Sequence, residues 1–283
     1  MNQANLFKKL RIERGYTQQK LSEGVSSRTT LSSFENRGTE LSSHTLFLYL
    51  DKMNIRLEEF QIMLNDGEFT KKRQLAYRFS KQYYKDVIDN NLIAEIEEIY
   101  QETQDIYYYV LWFEALTMLD FKKDNFSPNK YKKEISIICD YLFKIEKWQH
   151  FELTTFMNLM FAFSDEMIIA LFNSSKDIIL ANSSNPYYQS LMTNFFLNGT
   201  VLGFERQNKD IINLFFNGLK KIAEFPQCIY GRIMVLYFEN LLETIEGHID
   251  VNFDDFYSLL KILKMEKKII ELKEFQLKIL HKY

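Results

Sequence analysis

The chain contains few of the residues that interrupt helices or cross-link a backbone. Its 283 residues include nine glycines, three prolines and two cysteines, whereas phenylalanine and tyrosine number 25 and 17. A chain so poor in glycine and proline is predicted to be all-α, with helices over almost its whole length. The length exceeds that of one ordinary domain, so we expect a small domain and a larger one.

The sequence also lacks the patterns of catalytic and metal sites. Its four histidines are scattered without the spacing of metal ligands. It has no glycine-rich phosphate loop, nucleophile elbow or paired catalytic carboxylate. Cys139 and Cys228 are far apart in apolar helical contexts, which favours buried free thiols over a disulfide or a redox switch. We therefore expect neither an enzyme nor a bound cofactor or metal.

Long apolar runs are missing as well. No run is long enough to span a membrane, and the N-terminus has no apolar signal segment, so we expect a cytoplasmic protein without a membrane partner. The formal net charge is −3, yet residues 1–65 carry nine basic and seven acidic side chains. Contact with phosphates depends on local charge. The basic excess therefore favours residues 1–65 as the part that contacts nucleic acid.

Residues 17–38, TQQKLSEGVSSRTTLSSFENRG, have the pattern of a DNA-binding helix-turn-helix. Thr17 can cap a short first helix that Leu21 anchors in the core. Gly24 and Val25 can form the turn that follows. A second helix would then begin after the turn. The alternative interpretation is a polar helical hairpin without a DNA-binding role.

The second helix would present hydrogen-bonding side chains outward. Ser27 can cap it, while Leu31 and Phe34 share the buried face. Its outward side chains are short or forked, as suits contact with base edges and phosphate oxygens. We expect Arg28 to contact a base or a phosphate and the other arginines to bind phosphates. The candidate DNA-binding residues are Arg11, Arg14, Gln18, Gln19, Ser27, Arg28, Thr29, Ser32 and Arg37.

Apolar residues at helical spacing predict three more helices around this segment. Their anchors are Leu6, Phe7 and Leu10; Leu46, Leu50 and Met53; and Leu57, Phe60 and Leu64. Five helices would make residues 1–65 a compact DNA-binding domain. Asn65-Asp66-Gly67 is the clearest break, so we place a linker at residues 66–70 and a helical domain at residues 71–283. Within that domain, Pro128 and Pro186 are expected at first helical positions.

Two motifs make a family resemblance specific. They are L-R-x-x-R-G-Y-T-Q at residues 10–18 and S-R-x-x-L-S-x-F-E-x-x-G at residues 27–38. This pattern, with its shortened turn, resembles the Rgg/GadR/MutR family of Gram-positive transcription regulators. The resemblance implies an Xre-type five-helix helix-turn-helix bundle followed by a tetratricopeptide-like helical repeat domain. Ser33 departs from the pattern, because Rgg proteins often have an arginine there.

The resemblance also implies a mechanism. Members bind short secreted peptides in the repeat domain, so a homodimeric, peptide-controlled transcription regulator in quorum sensing is expected. Some members link their dimers through a cysteine in the early bundle. This chain has no cysteine before Cys139, so that disulfide is excluded here.

A three-residue motif recurs in the long helical region. Phe156-Met157-Asn158 is repeated as Phe196-Leu197-Asn198 after 40 residues and as Phe238-Glu239-Asn240 after a further 42. Phe113-Glu114-Ala115 precedes the first of them by 43 residues, with alanine in the asparagine position. A recurrence near forty residues is typical of stacked helix pairs. We expect each phenylalanine to pack between repeats and each asparagine to face the concave side.

An asparagine amide offers both the donor and the acceptor that an extended peptide backbone requires. The family resemblance adds Arg232, whose guanidinium could bind a peptide carboxylate in a bidentate way. The candidate peptide-binding residues are His150, Asn158, Tyr187, Tyr188, Asn194, Asn198, Cys228, Arg232 and Asn240. Each of these residues could instead have a structural role, in a hydrogen bond between helices, in an ion pair or in the core. Two other functions remain open, namely a ligand-independent dimeric regulator and a helical scaffold for a partner protein.

Overall fold

The structure, a computed structural model, describes residues 2–65, 70–85, 87, 89–122, 125–183, 185–247 and 253–283. These residues form α-helices and two short 3₁₀ helices, without a β-strand among them. The backbone divides into two compact units, Met1–Thr103 and Gln104–Tyr283. Of the expected linker, residues 66–69 lie outside the described residues. No described helix is long and apolar enough to cross a lipid bilayer.

The first unit contains seven of the described helices. They are α1 (Gln3–Glu13), α2 (Gln18–Ser22), α3 (Arg28–Arg37), α4 (Ser43–Lys52), α5 (Leu57–Leu64), α6 (Lys71–Tyr84) and α7 (Asn90–Thr103). Helices α1 to α5 enclose one core, in which the Phe7 ring meets Phe34 and Tyr49 edge to face. One predicted anchor differs, since Leu57 is 43% exposed. Leu57 is the first residue of α5, and that helix reaches the core through Phe60 instead.

The second unit contains nine of the described α-helices. They are α8 (Ile106–Lys122), α9 (Lys132–Lys144), α10 (His150–Leu159), α11 (Asp165–Ser183), α12 (Gln189–Arg206), α13 (Lys209–Ala223), α14 (Ile229–Ile245), α15 (Phe253–Ile262) and α16 (Glu266–Leu280). The 3₁₀ helices are Pro128–Tyr131 and Met160–Ala162.

The helices of the second unit stack as pairs. Each of α8, α10, α12 and α14 packs on the next in that series, which we call the first layer. Helices α9, α11 and α13 pack on one another in the same order. The four repeated phenylalanines occupy successive helices of the first layer, and all of them are buried (Phe113, Phe156, Phe196 and Phe238). One helix pair therefore accounts for each repeat of about forty residues.

Three glycines allow α12 and α13 to approach closely. A Cβ atom at Gly199 would lie 2.1 Å from the Phe215 ring, and one at Gly218 would lie 2.1 Å from the Phe196 ring. A Cβ atom at Gly203 would lie 2.8 Å from the backbone nitrogen of Ile212. Each helix therefore places a glycine against a phenylalanine ring of the other helix. This close contact holds α12 against α13.

Two helix boundaries differ from the prediction. Helix α12 begins at Gln189, although Pro186 was expected as its first residue. The Asn185 side chain accepts a hydrogen bond from the Tyr187 backbone N–H at 3.0 Å, which forms a turn before the helix. Pro128 does begin a helix, but of the 3₁₀ type, ahead of α9.

Candidate DNA interface and candidate peptide surface

Helix α3 has the position and the side chains of a recognition helix. The Ser27 hydroxyl accepts a hydrogen bond from the Thr30 backbone N–H at 3.0 Å and so caps the helix start. Leu31 and Phe34 are buried in the core of the first unit. Arg28 is in the first turn of α3 and is exposed, as Thr29 is. The buried anchors therefore hold α3 so that its N-terminal turn faces solvent.

A buried ion pair holds α3 against α1. The Arg11 guanidinium donates to both carboxylate oxygens of Glu35, at 2.6 and 2.8 Å, and to the Tyr16 carbonyl. The Gln18 amide donates to the same carboxylate at 2.8 Å. These bonds join α1, the start of α2 and α3 in one network. Arg11 is only 7% exposed. We therefore correct the expectation that Arg11 binds a phosphate and assign it a positioning role.

Three more candidates in the DNA-binding set have partners inside the first unit. Arg14 donates to the Met53 carbonyl at 2.9 Å, beyond the end of α4. The Ser27 hydroxyl is occupied by the cap described above. The Ser32 hydroxyl accepts from the Asn36 amide at 3.2 Å and is half-buried. The two serine hydroxyls can reach DNA only if their internal hydrogen bonds are shared or exchanged, whereas Arg14 is exposed and its Nη2 group has no partner among the described residues.

The remaining candidates of this set are exposed, and the structure gives them no side-chain hydrogen bond or ion pair among the described residues. They are Gln19, Arg28, Thr29 and Arg37. The sequence interpretation missed Asn36, which is also exposed on α3 and whose Oδ1 accepts from Lys8 at 2.9 Å. Its position could have been found from spacing, because Asn36 follows Thr29 by seven residues and so shares its face.

The second unit exposes a stripe of small polar residues along α12. Ser190, Asn194 and Asn198 are exposed at intervals of four residues, while the residues between them are buried or half-buried. Among the described residues neither asparagine side chain has a hydrogen-bond partner. We call these three residues the α12 stripe. It offers amide donors and acceptors on one helical face.

Three other candidates meet near the starts of α10 and α12. The His150 ring lies 6.4 Å from the Tyr188 ring, measured between centroids, and Tyr187 contacts Tyr188 edge to face at 5.1 Å. The Tyr188 hydroxyl donates to the Gln149 side chain at 3.4 Å. Tyr187 is 73% exposed, so it is a surface side chain and not core. The structure thus brings these predicted residues together.

One predicted peptide contact needs correction, and a second has partners within the fold. Cys228 is buried, and its sulfur accepts from the Thr193 hydroxyl at 3.9 Å, so a ligand on the surface cannot reach it. Arg232 donates to the carbonyl oxygens of Ala223 and Glu224, at 2.6 and 2.9 Å. These carbonyls are at the C-terminal end of α13, so the guanidinium caps that helix. Arg232 is exposed and keeps further guanidinium N–H groups, so its contact with a peptide carboxylate stays a prediction.

The other two asparagines of the repeat are less exposed to solvent than Asn198. Asn240 is half-buried on α14. The Asn158 amide donates to Glu114 Oε1 at 3.0 Å and ties α10 to α8. The sequence interpretation did not include Glu114 among the site residues, although it is the only charged residue between 106 and 119. Burial raises the pKa of the Glu114 carboxyl to about 7, while the Asn158 hydrogen bond opposes that rise.

The raised pKa predicts how Glu114 affects stability. Folding favours the protonated form of Glu114, so the stability linked to its raised pKa is fully present well below pH 4.5. This stability is lost as the pH rises through about 7. Glu114→Gln keeps an acceptor for Asn158 but cannot ionise. From pH 5 to pH 8, the unfolding free energy of this variant should rise by about 1–3 kcal/mol relative to that of wild type. Urea unfolding at both pH values measures this gain.

The matched control for that experiment is Glu239→Gln. Glu239 occupies the equivalent repeat position on α14 and is exposed. Its replacement should leave the pH dependence of stability as in wild type. Equal pH dependence for Glu114→Gln and wild type would show that Glu114 is well solvated in the folded chain.

Two family models match the chain. Residues 89–270 match the C-terminal domain of the helix-turn-helix-type transcriptional regulator Rgg, and residues 7–60 match a helix-turn-helix. No curated protein matches the sequence closely enough to count as a relative. Residues 7–60 lie within the first unit, and residues 89–270 begin at its last helix and cover most of the second unit.

Solved structures share the fold over nearly the whole chain. A protein of Listeria monocytogenes EGD-e described as a transcriptional regulator is 21% identical, with a TM-score of 0.81, and the match covers 98% of this chain and 97% of that one. The pheromone receptor Rgg2 of Streptococcus dysgalactiae is 19% identical, with a TM-score of 0.75 and coverages of 98% and 99%. PrgX, in its complex with cCF10, is 16% identical, with a TM-score of 0.74 and coverages of 99% and 92%. The chain belongs to the Rgg family of helix-turn-helix transcriptional regulators, a family of regulators and not of enzymes.

Proposed function

We propose that the chain is a homodimeric, cytoplasmic transcription regulator controlled by a short signalling peptide, as in quorum sensing. In this proposal residues 1–65 bind operator DNA and residues 66–70 link them to the rest of the chain. Residues 71–283, which begin with α6 and α7 of the first unit, bind the peptide and dimerise. The observation that carries this proposal is the exposed N-terminal turn of α3, held from behind by the Arg11–Glu35 ion pair.

The DNA-binding half follows from the geometry of α3. Arg28 and Thr29 project from a capped, anchored helix, and such a helix can lie in a major groove with its N-terminal residues on base edges. Arg37 is in the last turn of α3, where a phosphate contact is the expected role. One helix-turn-helix contacts few base pairs. Two protomers on half-sites about 34–36 Å apart provide useful affinity.

Arg28→Ala should weaken binding to the preferred duplex by about 1–3 kcal/mol and relax the sequence preference, because a base contact is lost. Arg37→Ala is the matched comparison, since loss of a phosphate contact weakens binding to all sequences alike and reduces the salt dependence. Fluorescence anisotropy with the preferred duplex and a scrambled duplex measures both effects. Unchanged affinity of the Arg28→Ala variant would remove Arg28 from the interface.

The peptide-binding half is supported by the α12 stripe and by the aromatic cluster of His150, Tyr187 and Tyr188. The amides of Asn194 and Asn198 can bond a peptide backbone, and the three rings of the aromatic cluster can contact apolar side chains. Rgg2 of Streptococcus dysgalactiae is a pheromone receptor, and PrgX forms a complex with cCF10. Their likeness in fold supports the same class of ligand for this chain.

Replacing Asn194 and Asn198 together by alanine should weaken peptide binding by about 1–3 kcal/mol, because each lost hydrogen bond contributes about 1 kcal/mol. The probe is the tightest binder selected from a pool of synthetic hydrophobic octapeptides, and calorimetry gives its affinity. Asn217→Ala is the control, since Asn217 is exposed on α13, outside the first layer. Absence of any peptide binder would instead favour a regulator that works without a ligand.

A further inference from the structure

One face of helix α8 makes three side-chain contacts with α10 and with the 3₁₀ helix that follows it, Met160–Ala162. Tyr107, Glu114 and Phe121 are seven residues apart, so they lie on one face of α8. The Tyr107 ring contacts Phe151 at a centroid distance of 5.5 Å, and the Phe121 ring contacts Phe161 at 4.9 Å. Between these aromatic pairs, Glu114 binds Asn158. Glu114 is therefore the only carboxylate among these three α8 side chains, with an aromatic contact about two helical turns away on either side.

The Glu114 carboxylate has a single hydrogen-bond partner among the described residues. Its Oε1 atom accepts from Asn158, whereas its Oε2 atom has no partner among the described residues. No lysine, arginine or histidine of the described part of the chain forms an ion pair with it. A partly buried carboxylate is stabilised when a cation or further donors complete its hydrogen bonds. Glu114 nevertheless remains half-buried and not sealed in the core, so a ligand group can approach it.

We propose that Glu114 is a specificity-determining residue that binds a cationic group of the peptide ligand, either its amino terminus or a lysine or arginine side chain. This inference rests on the proposed peptide-binding function. An ammonium or guanidinium group would donate to Oε2 while Asn158 holds the other oxygen in place. The rings along α8, on α10 and in the 3₁₀ helix after it would contact the apolar part of such a side chain or its apolar neighbours.

The raised pKa of Glu114 agrees with this placement. A group that titrates near neutrality because of burial and lacks an internal counter-charge is a candidate for a binding site. A bound cation would favour the ionised carboxylate and offset the cost of its burial. The Asn158 amide is then a positioning group for the carboxylate and not a contact for the peptide backbone.

The experiment uses the full chain and pools of synthetic hydrophobic octapeptides. Each pool contains one lysine or, in the matched pool, one norleucine, and each is made with a free and an acetylated amino terminus. The best binder and its neutral counterparts are then titrated by calorimetry against wild type, Glu114→Gln and Glu239→Gln. Glu114→Gln removes the charge but keeps an acceptor for Asn158, and Glu239 is the exposed residue at the equivalent repeat position.

We expect the cationic peptide to bind wild type and Glu239→Gln about tenfold or more tightly than its neutral counterpart. Glu114→Gln should lose this preference. The acetylated and norleucine peptides show which cation is bound. Equal affinity of cationic and neutral peptides for wild type, or a preference that survives in Glu114→Gln, would overturn the inference while leaving peptide binding intact. If no peptide binds wild type, the proposed function fails and the inference fails with it.

Discussion

Gly218→Ala is expected to lower the free energy of unfolding of the second unit by about 1–3 kcal/mol or more. The new Cβ atom would lie 2.1 Å from the Phe196 ring, well inside van der Waals contact. Both residues are at the α12–α13 contact, where the Phe196 ring is buried and has little room to move. Overpacking of this kind forces strained rotamers or a backbone shift. Chemical unfolding followed by circular dichroism measures the loss.

Two further variants make this prediction specific. Gly199→Ala should have a similar cost, because its Cβ atom would lie 2.1 Å from the Phe215 ring. Gly231→Ala is the matched control, since its Cβ atom would have an ordinary contact of 3.5 Å with Thr193. This control should be neutral or stabilising by up to about 1 kcal/mol, because alanine favours a helix over glycine. Equal stability of Gly218→Ala and Gly231→Ala would mean that α12 and α13 are not in such close contact.

Arg11→Met should destabilise the first unit by about 3–5 kcal/mol, because it leaves the Glu35 carboxylate buried without its partner. The Glu35 side chain is fully buried, and among the described residues only Arg11 and Gln18 donate to it. Lys9→Met is the control. Lys9 is an exposed residue of the same helix, and its weak pair with Glu13 spans 3.8 Å. Its loss should change stability by less than about 0.5 kcal/mol.

The same variant distinguishes a positioning role from a phosphate contact. If Arg11 supports α3, Arg11→Met reduces both the thermal stability of the first unit and DNA binding. If Arg11 binds a phosphate, the unit remains stable, and only DNA affinity and its salt dependence fall. A fully stable Arg11→Met variant would therefore contradict the positioning role assigned from the structure.

The helix-turn-helix was predictable because its signals are local. Thr17 and Ser27 cap the helices that follow them, and Leu21, Leu31 and Phe34 are buried as their spacing required. Each of these features depends on residues within one or two helical turns. The repeat of about forty residues was predictable for a similar reason, because each helix pair must bury the same phenylalanine position against its neighbours.

The roles of individual polar residues were less predictable, because they depend on contacts between distant parts of the chain. Arg11 was expected at a phosphate, but its partner Glu35 is 24 residues away. Arg232 was expected at a peptide carboxylate, but the fold places the end of α13 beside it. Glu114 depends on Asn158, which follows it by 44 residues. Sequence spacing shows which face a residue occupies but not which neighbour satisfies it.

The most direct test of DNA recognition by α3 is selection of duplexes from a random-sequence DNA pool by the purified chain at physiological salt. We expect the wild-type chain to enrich a two-fold symmetric sequence whose half-sites are about one helical turn apart. The Arg28→Ala variant should lose the preference within each half-site while keeping weak, salt-sensitive binding to all duplexes. Enrichment of no sequence by the wild type, or of the same sequence by both proteins, would contradict recognition of DNA through this helix.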